Sequence, residues 1–413
     1  MTSAVVAEIS RRDLEKFNTP SDASITNTQH LCSYNWKKRS VPTIVVPGIP
    51  PLWVPFKGSR QLKKDSGLVF IDQNADRHPS CPLEPLFRAL YLTNPNFDID
   101  SVDVVTDRNN LRKLLGFVNP DSAKNGLEPF TIKVEMSRGT ALFCRQEPST
   151  REFINAREFR GYGHEFEKAY TKAGISDSSG HHRIISYRFG GLNFIVRHET
   201  DGYINKEMPS DGKRSDKDSL AALLDSLSLS SSAAPSRAPL PSESKLVIEQ
   251  EGSMVPLNST LEIKTRVSHK RIPFHEVAAQ LWVSQTPNLV RAYHARGRFQ
   301  EAELEEVSAK LAKWEKDNQE HLRRLAALIA EIIKCVQGCG GRAVVRYDAT
   351  KDKMVLSQMN DGGKMLPEDI YSKWMDTGPG TVEDSSKAAQ LQQKAGKGAT
   401  ITELILSDDY VHV

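Results

Sequence analysis

Apolar and polar residues alternate along several short segments of the chain. A period of two is typical of a β-strand with one buried face, because successive side chains point to opposite sides. Gly190-Gly191, a pair that suits a hairpin turn, separates two of these segments. The segments are FTIKVEM, TALFCRQ, HRIISYRF, LNFIVRHETDGY, KLVIEQ, TLEIKTRV and KMVLSQM. We therefore predict that the chain contains extensive β-sheet.

Other segments space their apolar residues by three and four positions, which predicts helices. PLEPLFRALYLTNP has proline near its start and closes on Asn-Pro, both typical of helix ends. REFRGYGHEFEKAYTKAG predicts a helix, and PFHEVAAQLWVSQTPNLVRAYHARG a helix followed by a strand. A long helix is predicted near 300–337. Helices interleaved with strands predict an α/β fold, with an α+β mixed sheet and flanking helices.

Three breaks in these patterns divide the chain. Residues 1–60 contain VPTIVVPGIPPLWVP and are predicted to form an extended N-terminal arm, because proline is excluded from central strands. Residues 61–375 are predicted to form a single domain, with a disordered low-complexity insertion at 207–244 that is rich in Ser, Pro and Ala. Residues 376–413 have the composition of a C-terminal tail.

Composition narrows the class of protein. The 413 residues carry a net charge of only +3, which gives no electrostatic reason to expect a protein that coats duplex nucleic acid. Five scattered cysteines predict neither a disulfide framework nor a zinc site. Apolar runs fall short of a membrane span, and the first residues lack the apolar stretch of a signal peptide. We expect an intracellular protein, nuclear or cytoplasmic, without a membrane partner.

Carboxylates recur in three separated segments. GHEFE, in a predicted helix, ends in Glu167, and RHETD ends a predicted strand with Glu199 and Asp201 on one face. LEIKT supplies Glu262 and Lys264, which alternation places on one face of another strand. Each segment alone is more typical of a solvated surface. Together, on adjacent strands, they would offer the carboxylate oxygens that Mg²⁺ and Mn²⁺ prefer.

The order G-H-E-F-E, then E-x-D, then E-x-K resembles the PD-(D/E)XK nuclease superfamily. In particular, it is similar to the eukaryotic decapping exoribonucleases, which remove defective or non-methylated caps and nucleotide caps from RNA 5′ ends. The similarity covers roughly residues 80–300 in ordered pieces. It implies a PD-(D/E)XK nuclease-like core and a metal-dependent hydrolase that acts on the RNA 5′ end. Decapping, pyrophosphohydrolase and 5′–3′ exoribonuclease-like phosphodiester hydrolysis are the implied reactions.

The resemblance also implies roles for individual residues. Glu199, Asp201, Glu262 and Lys264 match the catalytic positions of the family. Mg²⁺ or Mn²⁺ would be bound by Glu167, Glu199, Asp201, Glu262 and the backbone carbonyl of Ile263.

The implied substrate contacts lie in two further motifs. Arg108, in VVTDRNNLRKLL, matches the arginine that holds RNA phosphate in the family. Gln285, which follows Trp282 in AQLWVSQ, matches the glutamine that approaches the substrate. Two positions depart from the family pattern: Leu281 replaces a lysine, and His198 replaces a glycine. These departures concern the substrate pocket, so cap selectivity stays open.

Two alternatives stay open: a catalytically inactive relative that binds RNA or a protein partner, and a DNA nuclease with the same core. The whole chain is also similar to fungal proteins that carry a geranylgeranyl pyrophosphate synthase label. Prenyl synthases are mostly helical and hold Mg²⁺-diphosphate with D-D-x-x-D motifs. The only adjacent aspartates here are Asp408 and Asp409, near the C-terminus, and many strands are predicted, so the residues oppose that chemistry.

Overall fold

A computed structural model describes residues 4–122, 126–157, 161–205, 236–237, 244–360 and 363–374. These residues belong to one compact unit that ends at Trp374. The predicted insertion at 207–244 lies outside the described residues, apart from 236–237 and 244, and the predicted tail at 376–413 lies wholly outside them.

The described strands, in chain order, form two large sheets and one small sheet. They are β1 (Val5–Ser10), β2 (Thr26–Lys37), β3 (Thr43–Gly48), β4 (Leu52–Trp53), β5 (Arg60–Gln61), β6 (Gly67–Phe70), β7 (Val104–Asp107), β8 (Phe130–Ser137), β9 (Thr140–Gln146), β10 (Arg151–Ile154), β11 (Thr171–Lys172), β12 (Ser178–Phe189), β13 (Leu192–Glu199), β14 (Gly202–Tyr203), β15 (Ser236–Arg237), β16 (Val247–Gly252), β17 (Thr260–Val267), β18 (Asn288–Ala295), β19 (Arg298–Phe299), β20 (Glu303–Glu306), β21 (Arg342–Asp348) and β22 (Lys353–Gln358).

The described α-helices flank these sheets. They are α1 (Gln73–Arg77), α2 (Glu84–Thr93), α3 (Arg108–Val118), α4 (Gly163–Tyr170), α5 (His275–Ser284), α6 (Ser308–Asp317), α7 (Gln319–Gly338) and α8 (Glu368–Tyr371). The prediction of a mixed α/β fold with flanking helices is therefore confirmed.

The first sheet has the strand order β1-β22-β21-β8-β9-β7-β13-β12-β2-β3-β16-β15, and the second has the order β11-β4-β14-β17-β18-β19-β5. Strand β20 pairs with β18, and β6 pairs with β10 in the small sheet. Both large sheets are mixed: β13 pairs with β7 in parallel but with β12 in antiparallel orientation. Likewise, β17 runs parallel to β18 and antiparallel to β14.

Helices cover the first sheet on both faces. On β13, Phe194 and Val196 pack into a core with residues of α3, α5 and α7. Ile195, which points to the opposite face, packs into a second core with residues of α2. Because both faces are buried, the central strands carry apolar residues at successive positions instead of a strict alternation.

The N-terminal sixty residues do not form the predicted extended arm. Strand β3 lies inside the first sheet, between β2 and β16, and it contains Pro47. Strands β2 and β3 pair in antiparallel orientation at only two positions, where Asn35 lies opposite Val45 and Trp36 lies opposite Ile44. This pairing therefore ends before the proline. Pro47 remains in register with Glu251 of β16, but β2 is no longer paired there, so the missing N–H costs no hydrogen bond to β2. The prediction failed because the proline-rich composition hid a buried strand.

The single long helix predicted near 300–337 is also wrong. The segment begins with strand β20 and continues as two consecutive helices, α6 and α7, which meet at Asn318. The Asn318 side chain donates a hydrogen bond to the carbonyl oxygen of Trp314 at 2.8 Å. Asparagine side chains that bond to nearby backbone groups favour helix ends.

The chain crosses from the first sheet to the second between β13 and β14. Glu199 ends β13 in the first sheet, whereas Gly202 begins β14, which pairs with β17 in the second sheet. The E-x-D and E-x-K segments are therefore not adjacent strands of one sheet, as the sequence led us to expect. They meet because the two sheets come together at this crossing.

Candidate active site

Glu262 lies at the centre of a polar network on β17. Its side chain is only 2% exposed. Lys264 lies on the same strand face, as alternation predicts, and its Nζ is 2.5 Å from Glu262 Oε1. Arg108 Nη1 donates to Glu262 Oε2 at 3.1 Å, and the amide of Gln280 donates to Oε1. Burial disfavours the ionised carboxylate, but the positive charges of Lys264 and Arg108 outweigh it and lower the pKa of Glu262 to about 2.

Asp201 reaches the same network from the crossing between the sheets. Its Oδ2 accepts a hydrogen bond from the backbone N–H of Ile263 at 2.7 Å. The pairing of Gly202 with Leu261 fixes this register. Burial, together with the negative charge of Glu262, raises the pKa of Asp201 to about 7. Asp201 therefore keeps its proton to a much higher pH than an exposed aspartate does.

Glu167 and Glu199 complete the acidic group. Glu167 extends from α4, and its pKa is raised well above the usual range by burial and by the charges of Asp201 and Glu199. Glu199 is exposed to the solvent of an open cleft. The cleft walls still limit its hydration, which raises its pKa, and the charge of Glu262 raises it further. The positive charge near Glu167, Glu199 and Asp201 is therefore too small to offset the cost of burying their ionised carboxylates.

This donor set fits a hard divalent cation, since it offers several carboxylate oxygens with excess negative charge. Within the described part of the chain, no group of three or more His, Cys, Asp or Glu side chains is arranged to hold a metal ion. The carboxylate of Glu262 is bound by three side-chain donors, and that of Asp201 is bound by a backbone amide.

The acidic group opens into a cleft of about 730 Å³. Glu167, Glu199 and Asp201 line it, and so does a set of basic side chains: Lys38, Arg108, Arg112, Arg145, His164, Lys168 and Arg197. Burial and the nearby charges of Arg108 and Arg145 lower the pKa of Arg112. The three arginines therefore lie close enough to repel one another, and a bound anion such as a phosphate would relieve that repulsion.

Arg108 was identified from the sequence, but the other basic residues that line this cleft were not. Arg112 follows Arg108 by four positions on α3, and that spacing places both on one helix face. This signal was available in the sequence. Arg145 comes from β9, whose approach to α3 depends on sheet pairing, so no local signal could have identified it.

A second glutamine of this motif, Gln280, reaches the carboxylate network. Gln285 caps the C-terminus of α5 with a left-handed backbone (φ 50°), and its amide donates to the carbonyl oxygen of Trp282 at 2.6 Å. Gln280, five positions earlier, contacts Glu262 instead. Trp282 is buried, and its indole N–H donates to Glu315 at 2.6 Å. The motif therefore belongs to the site through Gln280, while Trp282 has a packing role.

The two positions that depart from the family pattern are both buried. Leu281 lies in the apolar core with residues of α3 and α7. His198 is 3% exposed, and it lines the wall of the cleft. Burial and the nearby charge of Arg108 hold its pKa well below the usual range, so its imidazole is neutral.

A buried ion pair between Arg197 and Asp107 holds the backbone next to Arg108 and Glu199 in place. Arg197 on β13 is 2% exposed, and its Nε and Nη2 donate to the two oxygens of Asp107 at 2.7 and 3.0 Å. Its Nη1 donates to the carbonyl oxygen of Pro82 at 2.7 Å. Asp107 immediately precedes Arg108, and Arg197 lies two residues before Glu199. This bidentate pair therefore holds both site residues in position.

The comparisons with known proteins identify a family and a fold. A family model described as "Domain of unknown function (DUF8563)" matches residues 4–374. No curated protein matches the sequence. Among the described residues, no helix is both long and apolar enough to cross a membrane.

Rai1 proteins of three yeasts are among the solved structures that are similar to this chain. Rai1 of S. pombe in complex with 3′-FADP has 12% identity and a TM-score of 0.51, and the match covers 86% of this chain and 99% of that one. Rai1 of Scheffersomyces stipitis, with (3′-NADP)+ and calcium, has 13% identity and a TM-score of 0.53, covering 87% and 97%. Rai1 of Candida albicans, with pU5-Mn2+, has 11% identity and a TM-score of 0.53, covering 87% and 97%. The resemblance in motif order to the decapping exoribonucleases therefore extends to the fold.

Proposed function

Since this chain belongs to the family described as "Domain of unknown function (DUF8563)", which carries no activity in its description, we propose its function from the candidate site. We propose that it is a metal-dependent hydrolase that acts on the 5′ end of RNA. Decapping or pyrophosphohydrolase activity and 5′–3′ exoribonuclease-like hydrolysis are the proposed reactions. One observation carries the proposal: the carboxyl groups of Glu167, Glu199 and Asp201, whose pKa values are all raised, line a single cleft together with Arg108, Arg112 and Arg145.

Glu167, Glu199, Asp201 and Glu262, with the backbone carbonyl of Ile263, would hold Mg²⁺ or Mn²⁺. The chemistry that such a cation supplies when bound is a water of lowered pKa and positive charge for the phosphate oxygens. Two of the similar yeast proteins bind Ca²⁺ or Mn²⁺. That observation supports a divalent cation as a ligand of this fold.

The residues of this chain would bind and orient the RNA end. Arg108, Arg112 and Arg145 present positive charge to the cleft and suit a phosphate group. Lys264, whose ammonium lies beside Glu262, would hold the reacting phosphate together with Arg108. The ligands of the yeast proteins, pU5 and 3′-phosphorylated dinucleotides, contain the same phosphate and nucleotide chemistry.

Purified protein with Mn²⁺ should consume RNAs with a 5′-monophosphate, a 5′-triphosphate or a cap. An Asp201→Ala/Glu262→Ala variant should lose this activity, because it lacks two of the four carboxylates. Glu303→Ala is the matched control, since Glu303 is an exposed carboxylate paired with Arg271 on the surface. Product formation is followed by denaturing gel electrophoresis. Equal activity of the double variant and the wild type would overturn the proposal.

A specific observation favours a second candidate function, that of a catalytically inactive RNA- or protein-binding module. Glu262 is already neutralised by Arg108 and Lys264, and the described residues contain no preassembled metal-ligand group. Binding of RNA 5′ ends without turnover at any Mn²⁺ or Mg²⁺ concentration would support this candidate. Consumption of single-stranded DNA in preference to RNA would instead indicate a DNA nuclease.

The placement of the two glutamines gives a separate prediction. Gln280→Leu should lower RNA hydrolysis by about 10- to 100-fold, the usual cost of removing a group that orients a metal ligand. Gln285→Leu should leave hydrolysis unchanged and destabilise the protein by about 1 kcal/mol, because it removes one hydrogen bond at a helix end. Initial rates and thermal unfolding of both variants test this. The opposite ranking of the two rates would show that Gln285 is the site residue.

A further inference from the structure

The small sheet of β6 and β10 exposes apolar side chains beside the cleft. Phe153 is 75% exposed and Leu68 is 51% exposed. The register places Phe153 directly opposite Leu68, and Arg151 opposite Phe70. Directly opposed residues of an antiparallel pair lie on the same face, as do residues two positions apart along a strand. The four side chains therefore form one surface, here named the β6–β10 face.

Strand β10 is exposed along most of its length and buried at its end. Ile154, the neighbour of Phe153, is 6% exposed and packs into the protein. Strand β10 is thus anchored in the protein at Ile154, whereas most of the Phe153 side chain is open to solvent. Large apolar side chains exposed together beside a cleft are typical of an interaction site.

The β6–β10 face is continuous with the candidate active site and carries positive charge. Leu68 and Phe70 line the same cleft as Glu167 and Asp201. The guanidinium of Arg77 lies 5.2 Å from the ring centroid of Phe70. Arg151 lies on the face itself, with its Nε 3.5 Å from Asp76 Oδ1. Aromatic rings flanked by arginines complement the bases and phosphates of a single-stranded nucleic acid.

We propose that the β6–β10 face is a stacking platform for the nucleobases of single-stranded RNA whose 5′ end occupies the cleft. This inference rests on the proposed function for the polarity of the RNA. The face is open and solvated, which suits successive bases of a strand that leaves the cleft. A single small nucleotide would instead be enclosed on most of its surface.

The test is the affinity of the full-length protein for a fluorescein-labelled ten-nucleotide RNA with a 5′-monophosphate, measured by anisotropy in EDTA. Phe153→Ala should weaken binding by about fivefold or more, since it removes at least one base stack. Leu304→Ala is the matched control, because Leu304 is a 45% exposed apolar residue on β20, and it should bind as the wild type does. Unchanged affinity of the Phe153→Ala variant, or no RNA binding by the wild type, would overturn the platform.

A second variant reports stacking directly. Phe153→Trp should retain the affinity, and RNA should quench its emission more than that of the wild type, because the added indole would stack on a base. Absence of extra quenching contradicts the proposal. Hydrolysis separates this inference from the proposed function: RNA binding through Phe153 without any turnover would retain the platform and reject the hydrolase. RNA hydrolysis together with RNA binding that does not depend on Phe153 would retain the hydrolase and reject the platform.

Discussion

Asp201→Asn should stabilise the metal-free protein, by more at pH 8 than at pH 5. The pKa of Asp201 is about 7, raised from its ordinary value by burial and by the charge of Glu262. Between the ordinary and the raised pKa, the folded state holds a proton that the unfolded state has lost. The stability of the wild type therefore falls as pH rises through this range, and the loss is complete above about pH 7.

Asparagine keeps the size of Asp201 and can still accept the hydrogen bond from Ile263, but it carries no charge. The gain at pH 8 should be on the order of 1–4 kcal/mol, because one unit of pKa shift corresponds to about 1.4 kcal/mol. The buried residues His181, His182 and His198 have pKa values well below the usual range, so they lower the stability of the protein as pH falls. These histidines are present in both the wild type and Asp201→Asn, so their effect cancels in the stability difference between the two proteins.

Mn²⁺ should make the wild type more stable than Asp201→Asn, the reverse of the order expected without metal. A cation at 100 times its dissociation constant stabilises the protein that binds it by about 2.7 kcal/mol, and Asp201→Asn should lose most of that gain. Thermal unfolding at pH 5 and pH 8, with Mn²⁺ or EDTA, measures both effects. Two results would count against the site: a stability difference that is the same at both pH values, and equal Mn²⁺ stabilisation of the two proteins.

Arg197→Met should cause the largest loss of stability among these variants. The substitution leaves Asp107 without its bidentate partner in a largely buried position. Removing one member of a buried ion pair costs about 3–5 kcal/mol, because the remaining charge is uncompensated. Because the pair also positions Arg108 and Glu199, RNA hydrolysis should fall with it. Urea denaturation measures the free energy of unfolding.

The double variant Arg197→Met/Asp107→Leu separates charge from packing. Replacing both members of a buried pair by apolar residues is often neutral, so the double variant should recover most of the lost stability. Lys313→Ala is the surface control, since it breaks an exposed pair with Asp317 and should change stability little. A double variant as unstable as Arg197→Met would show that the guanidinium contributes mainly through its bond to Pro82 or through packing.

The sequence by itself determined the local features of this protein. Alternation along TLEIKTRV placed Glu262 and Lys264 on one face, and their side chains are in contact. Interleaved periodicities of two and of three to four predicted a mixed α/β fold. The motif order pointed to the nuclease-like fold before any pairing was known. The first two inferences succeed because a side chain's direction depends on a few neighbouring dihedral angles, whereas the motif order indicates the fold only through its resemblance to a known family.

Only the tertiary structure decided which distant segments meet. It placed Glu199 at the end of a strand of the first sheet and Asp201 in the crossing to the second, brought Gln280 onto Glu262, and put β3 inside a sheet despite Pro47. It also opposed Phe153 to Leu68 across strands that lie far apart in the sequence. Periodicity indicates that a strand has a buried face, but it does not identify the strand beside it. That choice depends on burial and hydrogen bonding summed over the whole domain, so a local pattern cannot contain it.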